Sequence, residues 1–82
     1  MAGFYCIKLI SKDGKRGWLI DRPDGIQIYT GGVTSDITQF ETEQDAYKFI
    51  RERKLERKGV KAYVRTNQEL LDESTKEGVA GI

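Results

Sequence analysis

The sequence predicts an α+β fold: an antiparallel sheet of three to five strands, arranged as a meander, with one helix packed on one face and a final strand after the helix. Three observations carry this expectation. Short runs of alternating apolar and polar residues are separated by turn signals at Asp13-Gly14 and Pro23-Asp24-Gly25. One later segment, ETEQDAYKFIRERKLERKG, has the caps and charge order of a helix. After it, Val60 to Arg65 returns to strict alternation.

The first strand is read over Gly3 to Ile10, with Tyr5, Ile7 and Leu9 on one side and Phe4, Cys6 and Lys8 on the other. Asp-Gly at positions 13 and 14 makes a tight turn, and Arg16 to Asp21 returns with Trp18, Leu19 and Ile20. Proline at position 23 presets the first dihedral of a second turn. Ile26 to Thr30 follows, Ile26 and Ile28 opposing Gln27 and Tyr29. Gly31-Gly32 breaks the pattern, Val33 to Asp36 reads as loop, and Ile37 to Phe40 as a short fourth strand or an extended lead-in.

The helix has a candidate N-cap in Thr42, whose hydroxyl can accept from a first-turn amide, with Asp45 at the capping-box position. Glu43 and Asp45 lie at the positive end of the helix dipole, Arg57 and Lys58 at the negative end, and Gly59 suits a left-handed stop. Its faces conflict. Ala46, Phe49 and Ile50 share a stripe, but at about 100° per residue that stripe continues into Arg53 and Arg57 while Leu55 falls on the opposite side. The second half of a straight helix therefore cannot pack as the first half does. Either it projects past the sheet, or Arg53 and Arg57 lay their stems on apolar surface and extend their heads to water.

At 82 residues, 38% hydrophobic and 33% charged, the chain is one globular domain near the size where a single core is marginal. The domain is expected over residues 1–66, followed by an acidic C-terminal tail, 67–82, with a short helical turn around Gln68 to Glu73 and a mobile end. There is one cysteine and no histidine, which argues against a tetrahedral zinc site, any other metal or a disulfide staple. Cys6 reads as a small buried hydrophobe, with a reactive thiol as the alternative. No apolar run reaches the ~20 residues of a membrane span, and the start lacks a basic, cleavable leader. A cytoplasmic protein is the expectation, since unpaired cysteine suits a reducing compartment.

The net charge of +1 conceals an asymmetry: Lys48 to Arg65 carries eight basic residues against Glu52 and Glu56, while the tail is acidic. Catalysis has little to work with. Histidine, the commonest general base, is missing, the aspartates sit mostly in turns, and Gly31-Gly32-Val33-Thr34 lacks a P-loop's lysine and spacing. No enzyme activity and no cofactor are expected. A binding surface is more plausible chemistry. One helix covers only one face of a sheet, so the other should show Tyr29, Tyr63, Lys61, Arg65, Lys8 and Trp18. A second group, Arg51, Lys54, Arg57 and Lys58, gathers at the basic helix end, where like charges four apart cost helix stability and a polyanion would relieve them. A solvated face of mixed charge is the plainer reading of those residues.

The segment TQFETEQDAYKFIRERK, between an FYCIKLI strand and a VKAYV strand, resembles the strand-to-helix step of small uncharacterised bacterial and bacteriophage proteins built from a sheet and one helix. The resemblance spans roughly Phe4 to Val64 and implies no residue-level function. Phe40, Thr42 and Ala46 also look like the helix opening of AP2-type domains and the related arm-binding domains of phage integrases, which lay a sheet in the DNA major groove. That likeness implies sheet contacts near Lys15, Arg16, Trp18 and Arg22, although this chain adds a strand after the helix and has apolar residues where that family has arginines.

The expected function is a non-enzymatic interaction module, a small phage or bacterial accessory or regulatory protein. It would bind a protein partner, or self-associate as a homodimer, through the uncovered sheet face. The alternative is a nucleic-acid-binding module that uses the basic helix end and the following strand, with Tyr63 and Tyr29 stacking on bases at ~1–3 kcal/mol each.

Overall fold

The computed structural model describes residues 3–30 and 36–80, without the side chains of residues 57, 58 and 74–80. The expected loop at 31–35 lies outside the described residues, as do positions 81 and 82. Four strands, β1 (Tyr5–Ile10), β2 (Arg16–Arg22), β3 (Gly25–Tyr29) and β4 (Lys61–Thr66), form one antiparallel sheet in the order β3-β2-β1-β4. The meander is as the turn signals require, and the last strand returns beside the first.

Each hairpin follows from its turn residues. Ser11 and Lys15 close the first loop, with the Ser11 amide donating to the Lys15 carbonyl at 2.8 Å and Gly14 taking a φ of 90° that a side chain would disfavour. Pro23 and Asp24 form the two-residue connection between the paired Arg22 and Gly25.

Helix α1 (Glu43–Glu52) starts where the sequence places it: the Thr42 hydroxyl accepts from the Asp45 amide at 3.1 Å. It ends earlier than expected. Lys54 adopts a left-handed conformation at φ 52°, and a 3₁₀ turn, Leu55–Lys58, follows before Gly59 at φ 82°. The break resolves the conflict of faces. A straight helix would have turned Leu55 to solvent; after the break Leu55 is 2% exposed, in one core with Ile7, Leu9, Leu19, Ala46 and Ile50. Arg53 stays at the rim, its guanidinium 4.9 Å from the centre of the Phe49 ring and 3.3 Å from Asp21.

Residues Ile37 to Phe40 do not form a full strand. They fill the gap where β1 and β2 diverge: Tyr5 and Phe40 exchange backbone hydrogen bonds at 2.8 and 2.7 Å, and the Thr38 amide donates to the Leu19 carbonyl.

The C-terminal segment extends beyond a short turn. Helix α2 runs from Asn67 to Ala80. Its residue Leu70 is buried with Cys6, Trp18 and Ile37, on the side of the sheet away from α1. Both sheet faces therefore carry an apolar cluster. The second face is not left bare.

Candidate interaction surface on the second sheet face

Strand register brings the sheet residues singled out above onto one surface. Tyr29 lies opposite Trp18, Trp18 opposite Lys8, and Lys8 opposite Tyr63, so these four form a row across all four strands. Arg65 stands one step along, opposite Cys6, and Lys61 opposite Ile10. Period-2 alternation fixes this arrangement, because residues in register on adjacent strands point to the same side.

Only part of the row is open. Trp18 is 2% exposed, packed against Cys6, Ile37 and Leu70, and therefore cannot present its ring to a ligand. Tyr29 is half-buried against the same cluster. Tyr63 is 38% exposed and Lys61 is exposed. The Arg65 guanidinium lies 5.3 Å from the centre of the Tyr63 ring, and its Nη1 donates to the Val64 carbonyl at 3.1 Å. The guanidinium thus flattens against strand and ring, which stiffens a side chain otherwise costly to order.

Glu73 of α2 neutralises the middle of the row. Its carboxylate is ion-paired with Lys8 and lies 3.6 Å from Arg65 Nε. Two of the face's cations are thereby occupied from within the chain. This partner was missed in the sequence, although Thr66-Asn67-Gln68-Glu69 has the spacing of a capping box and announces a helix able to carry Leu70 and Glu73 back over the sheet.

The second candidate group does not join the first. Ala46 and Ile50 pack α1 on the opposite side of the sheet, so Arg51 and Lys54, both exposed, are separated by the sheet from Lys61, Tyr63 and Arg65. The side chains of Arg57 and Lys58 lie outside the described residues. Of the positions that the AP2 likeness pointed to, Lys15, Arg16 and Arg22 are exposed, and Arg22 Nε donates to Gln27 Oε1 at 2.8 Å.

Burial pushes the Cys6 thiol up to about 12, with the Glu69 and Glu73 charges acting the same way and Arg65 opposing them. That is the environment of a structural thiol, not of a nucleophile. Among the described residues no group of three or more histidine, cysteine, aspartate or glutamate side chains could hold a metal, and no helix is long and apolar enough to cross a membrane.

Comparison with protein-family models, curated proteins and solved structures finds no match.

Proposed function

We propose that the protein is a non-enzymatic interaction module, a small accessory or regulatory protein that binds a protein partner through the open strip of the second sheet face. The strip comprises Lys61, Tyr63 and Arg65, with Tyr29 at the far end of the row. The observation that carries the reading is Tyr63. It holds an aromatic ring 38% exposed on a regular strand, with an arginine laid against it. Tyrosine and arginine are the residues from which protein contact sites are preferentially built, because both offer large contact area and directional polar groups, and Arg65 is already held against the strand and the Tyr63 ring, which lowers its ordering cost. Exposed Lys61 gives the strip a positive rim suited to a partner of acidic surface.

The test is site-specific photocrosslinking in the expressing cell, with p-benzoylphenylalanine in place of Tyr63. A discrete protein adduct is expected. Excess wild-type chain should compete it away, and the Tyr63→Asp chain should not. Tyr47, 49% exposed on α1, is the control position. A nucleic-acid adduct at position 63, or the same adduct pattern from both positions, overturns the reading.

A further inference from the structure

The sheet is open at both ends, and its two edges differ in kind. The alternation of backbone hydrogen bonds identifies which groups each edge presents. Tyr5 exchanges bonds with Phe40, so Tyr5, Ile7 and Leu9 direct their amides and carbonyls towards the β2 side of β1. Leu9 then bonds Gly17, which leaves Trp18, Ile20 and Arg22 to bond Tyr29, Gln27 and Gly25. The outward groups of β3 are therefore those of Ile26 and Ile28. By the same alternation the outward groups of β4 are those of Ala62, Val64 and Thr66.

The β4 edge is guarded. The Val64 carbonyl accepts from Arg65, and the Thr66 amide donates to Glu69 at 2.9 Å. Self-pairing about Tyr63 would also set Lys61 opposite Arg65 twice, placing like charges face to face. Among the described residues the β3 edge has none of these devices. Gly25 to Tyr29 contains no charged residue and no proline, the usual protections of an edge strand. Among the described residues no group bonds the outward amides and carbonyls of Ile26 and Ile28. A groove of about 440 Å³ runs beside them, lined by Lys15, Arg22, Asp24, Ile26 and Ile28 among others. Both isoleucines are only half-buried, because α1 makes its main contacts with β1 and β4.

We infer that β3 pairs antiparallel with β3 of a second copy of this chain, with Gln27 on the two-fold axis. In that register Ile26 meets Ile28 of the second copy and Ile28 meets its Ile26, so every outward amide and carbonyl of both strands is satisfied by four hydrogen bonds. Shifting the register by two residues loses half of them. The four isoleucine side chains fall on the α1 face and extend the core across the junction. The two Gln27 side chains meet on the other face, at a non-hydrogen-bonded position where Cα atoms approach to roughly 4.5 Å. The result is a closed dimer with a continuous eight-stranded sheet, in which both Tyr63 strips face the same way. Of the row, the pairing involves only Tyr29, set opposite Gly25 of the second copy, and it leaves Lys61, Tyr63 and Arg65 untouched, so it stands or falls separately from the function proposed above.

A five-residue strand contact is small beside the ~1,600 Å² of a standard interface, so dissociation is expected in the range of tens to hundreds of micromolar. Sedimentation equilibrium of the full chain up to roughly 500 µM should show a concentration-dependent mass rising from 9.3 kDa towards twice that value. Ile26→Lys, which introduces a charge at the edge, should remain monomeric while keeping the wild-type circular dichroism spectrum. If that variant fails to fold, Gln27→Cys keeps the question answerable: mild oxidation should link two chains through position 27, whereas Tyr63→Cys under the same conditions should not link. A strictly monomeric wild-type chain, equal linkage at positions 27 and 63, or open-ended polymers in place of dimers would overturn the inference.

Discussion

Thr66 and Glu69 cap helix α2 reciprocally: the Thr66 hydroxyl accepts from the Glu69 amide at 3.2 Å, and the Glu69 carboxylate accepts from the Thr66 amide at 2.9 Å. Thr66 is also the last residue of β4, so one residue ends a strand and starts a helix. The cap directs α2 back over the second face, where Leu70 reaches Trp18 and Cys6. Replacing Thr66 by alanine should cost about 1 kcal/mol, the usual cost of losing an N-cap hydroxyl. Hydrogen exchange should locate the loss in the amides of α2, with little change in β1. Uniform acceleration across the sheet would mean that α2 is not a separately opening unit.

The same cap makes α2 acid-sensitive. The Thr66 amide and hydroxyl hold the Glu69 carboxyl below its ordinary value of 4.5, with partial desolvation opposing them and the Arg65 charge helping. A lowered value in the folded state means that the stabilisation is complete above pH 4.5 and is lost as pH falls through the folded value. Helicity followed by circular dichroism should therefore decline below pH 4.5 before the sheet melts. Glu69→Gln should start with a weaker helix and show a flatter decline. An identical acid profile in that variant would assign the transition to other carboxylates.

Strand spacing and turn chemistry were legible in the sequence because each is local. Asp13-Gly14 and Pro23-Asp24 demand turns wherever they sit, and period-2 alternation alone put Tyr29, Tyr63, Lys61 and Arg65 on one side. What was not legible depends on distant partners. The burial of Trp18 requires Ile37 and Leu70, far along the chain, and the pairing of Lys8 requires Glu73. The helix break at Lys54 is intermediate: the misplacement of Leu55 relative to Ala46 and Ile50 was visible as a conflict, but its resolution needed the core that receives Leu55.

Lys54 bears the cost of that resolution. A side chain at φ 52° is disfavoured by roughly 1–2 kcal/mol, while glycine adopts this conformation freely at some entropic cost in the unfolded chain. Lys54→Gly should therefore raise stability by roughly 0.5–1 kcal/mol, read from a shifted denaturation midpoint at unchanged slope. Destabilisation would mean that the lysine side chain contributes more here than its backbone costs.

Cys6 should be inert in the native protein. It is fully buried between α2 and the sheet, and its thiol, raised from 9.0 to about 12, is protonated throughout the neutral range. A thiol-specific reagent at pH 8 should react at the rate of chain opening, not of thiolate attack, and Leu70→Ala should speed the reaction by removing the cover. The thiol's contribution is full below pH 9.0 and fades between 9.0 and about 12, so Cys6→Ser should lessen the alkaline loss while lowering stability at neutral pH. Stoichiometric labelling of the native chain within seconds would contradict the burial of this site.

Gly17 is required for a spatial reason, not a conformational one. It lies in β2 opposite Leu9, and a Cβ built there would come within 2.4 Å of the Tyr29 carbonyl oxygen and 2.6 Å of Ile28 Cγ2. Neither neighbour can yield cheaply: the first is backbone, and the second belongs to a side chain packed on the main core. Gly14 is the contrasting case, with open space where its Cβ would stand but a φ of 90°. Gly17→Ala must push the end of β3 away from β2, and overpacking of this kind typically costs about 1–3 kcal/mol. The loss should appear as a lowered denaturation midpoint together with faster exchange of the β3 amides. Because the displaced segment carries Ile28, the variant should also weaken dimerisation, whereas Gly14→Ala should lower stability without changing association. Equal effects of the two substitutions on association would show that β3 is not held in place through Gly17.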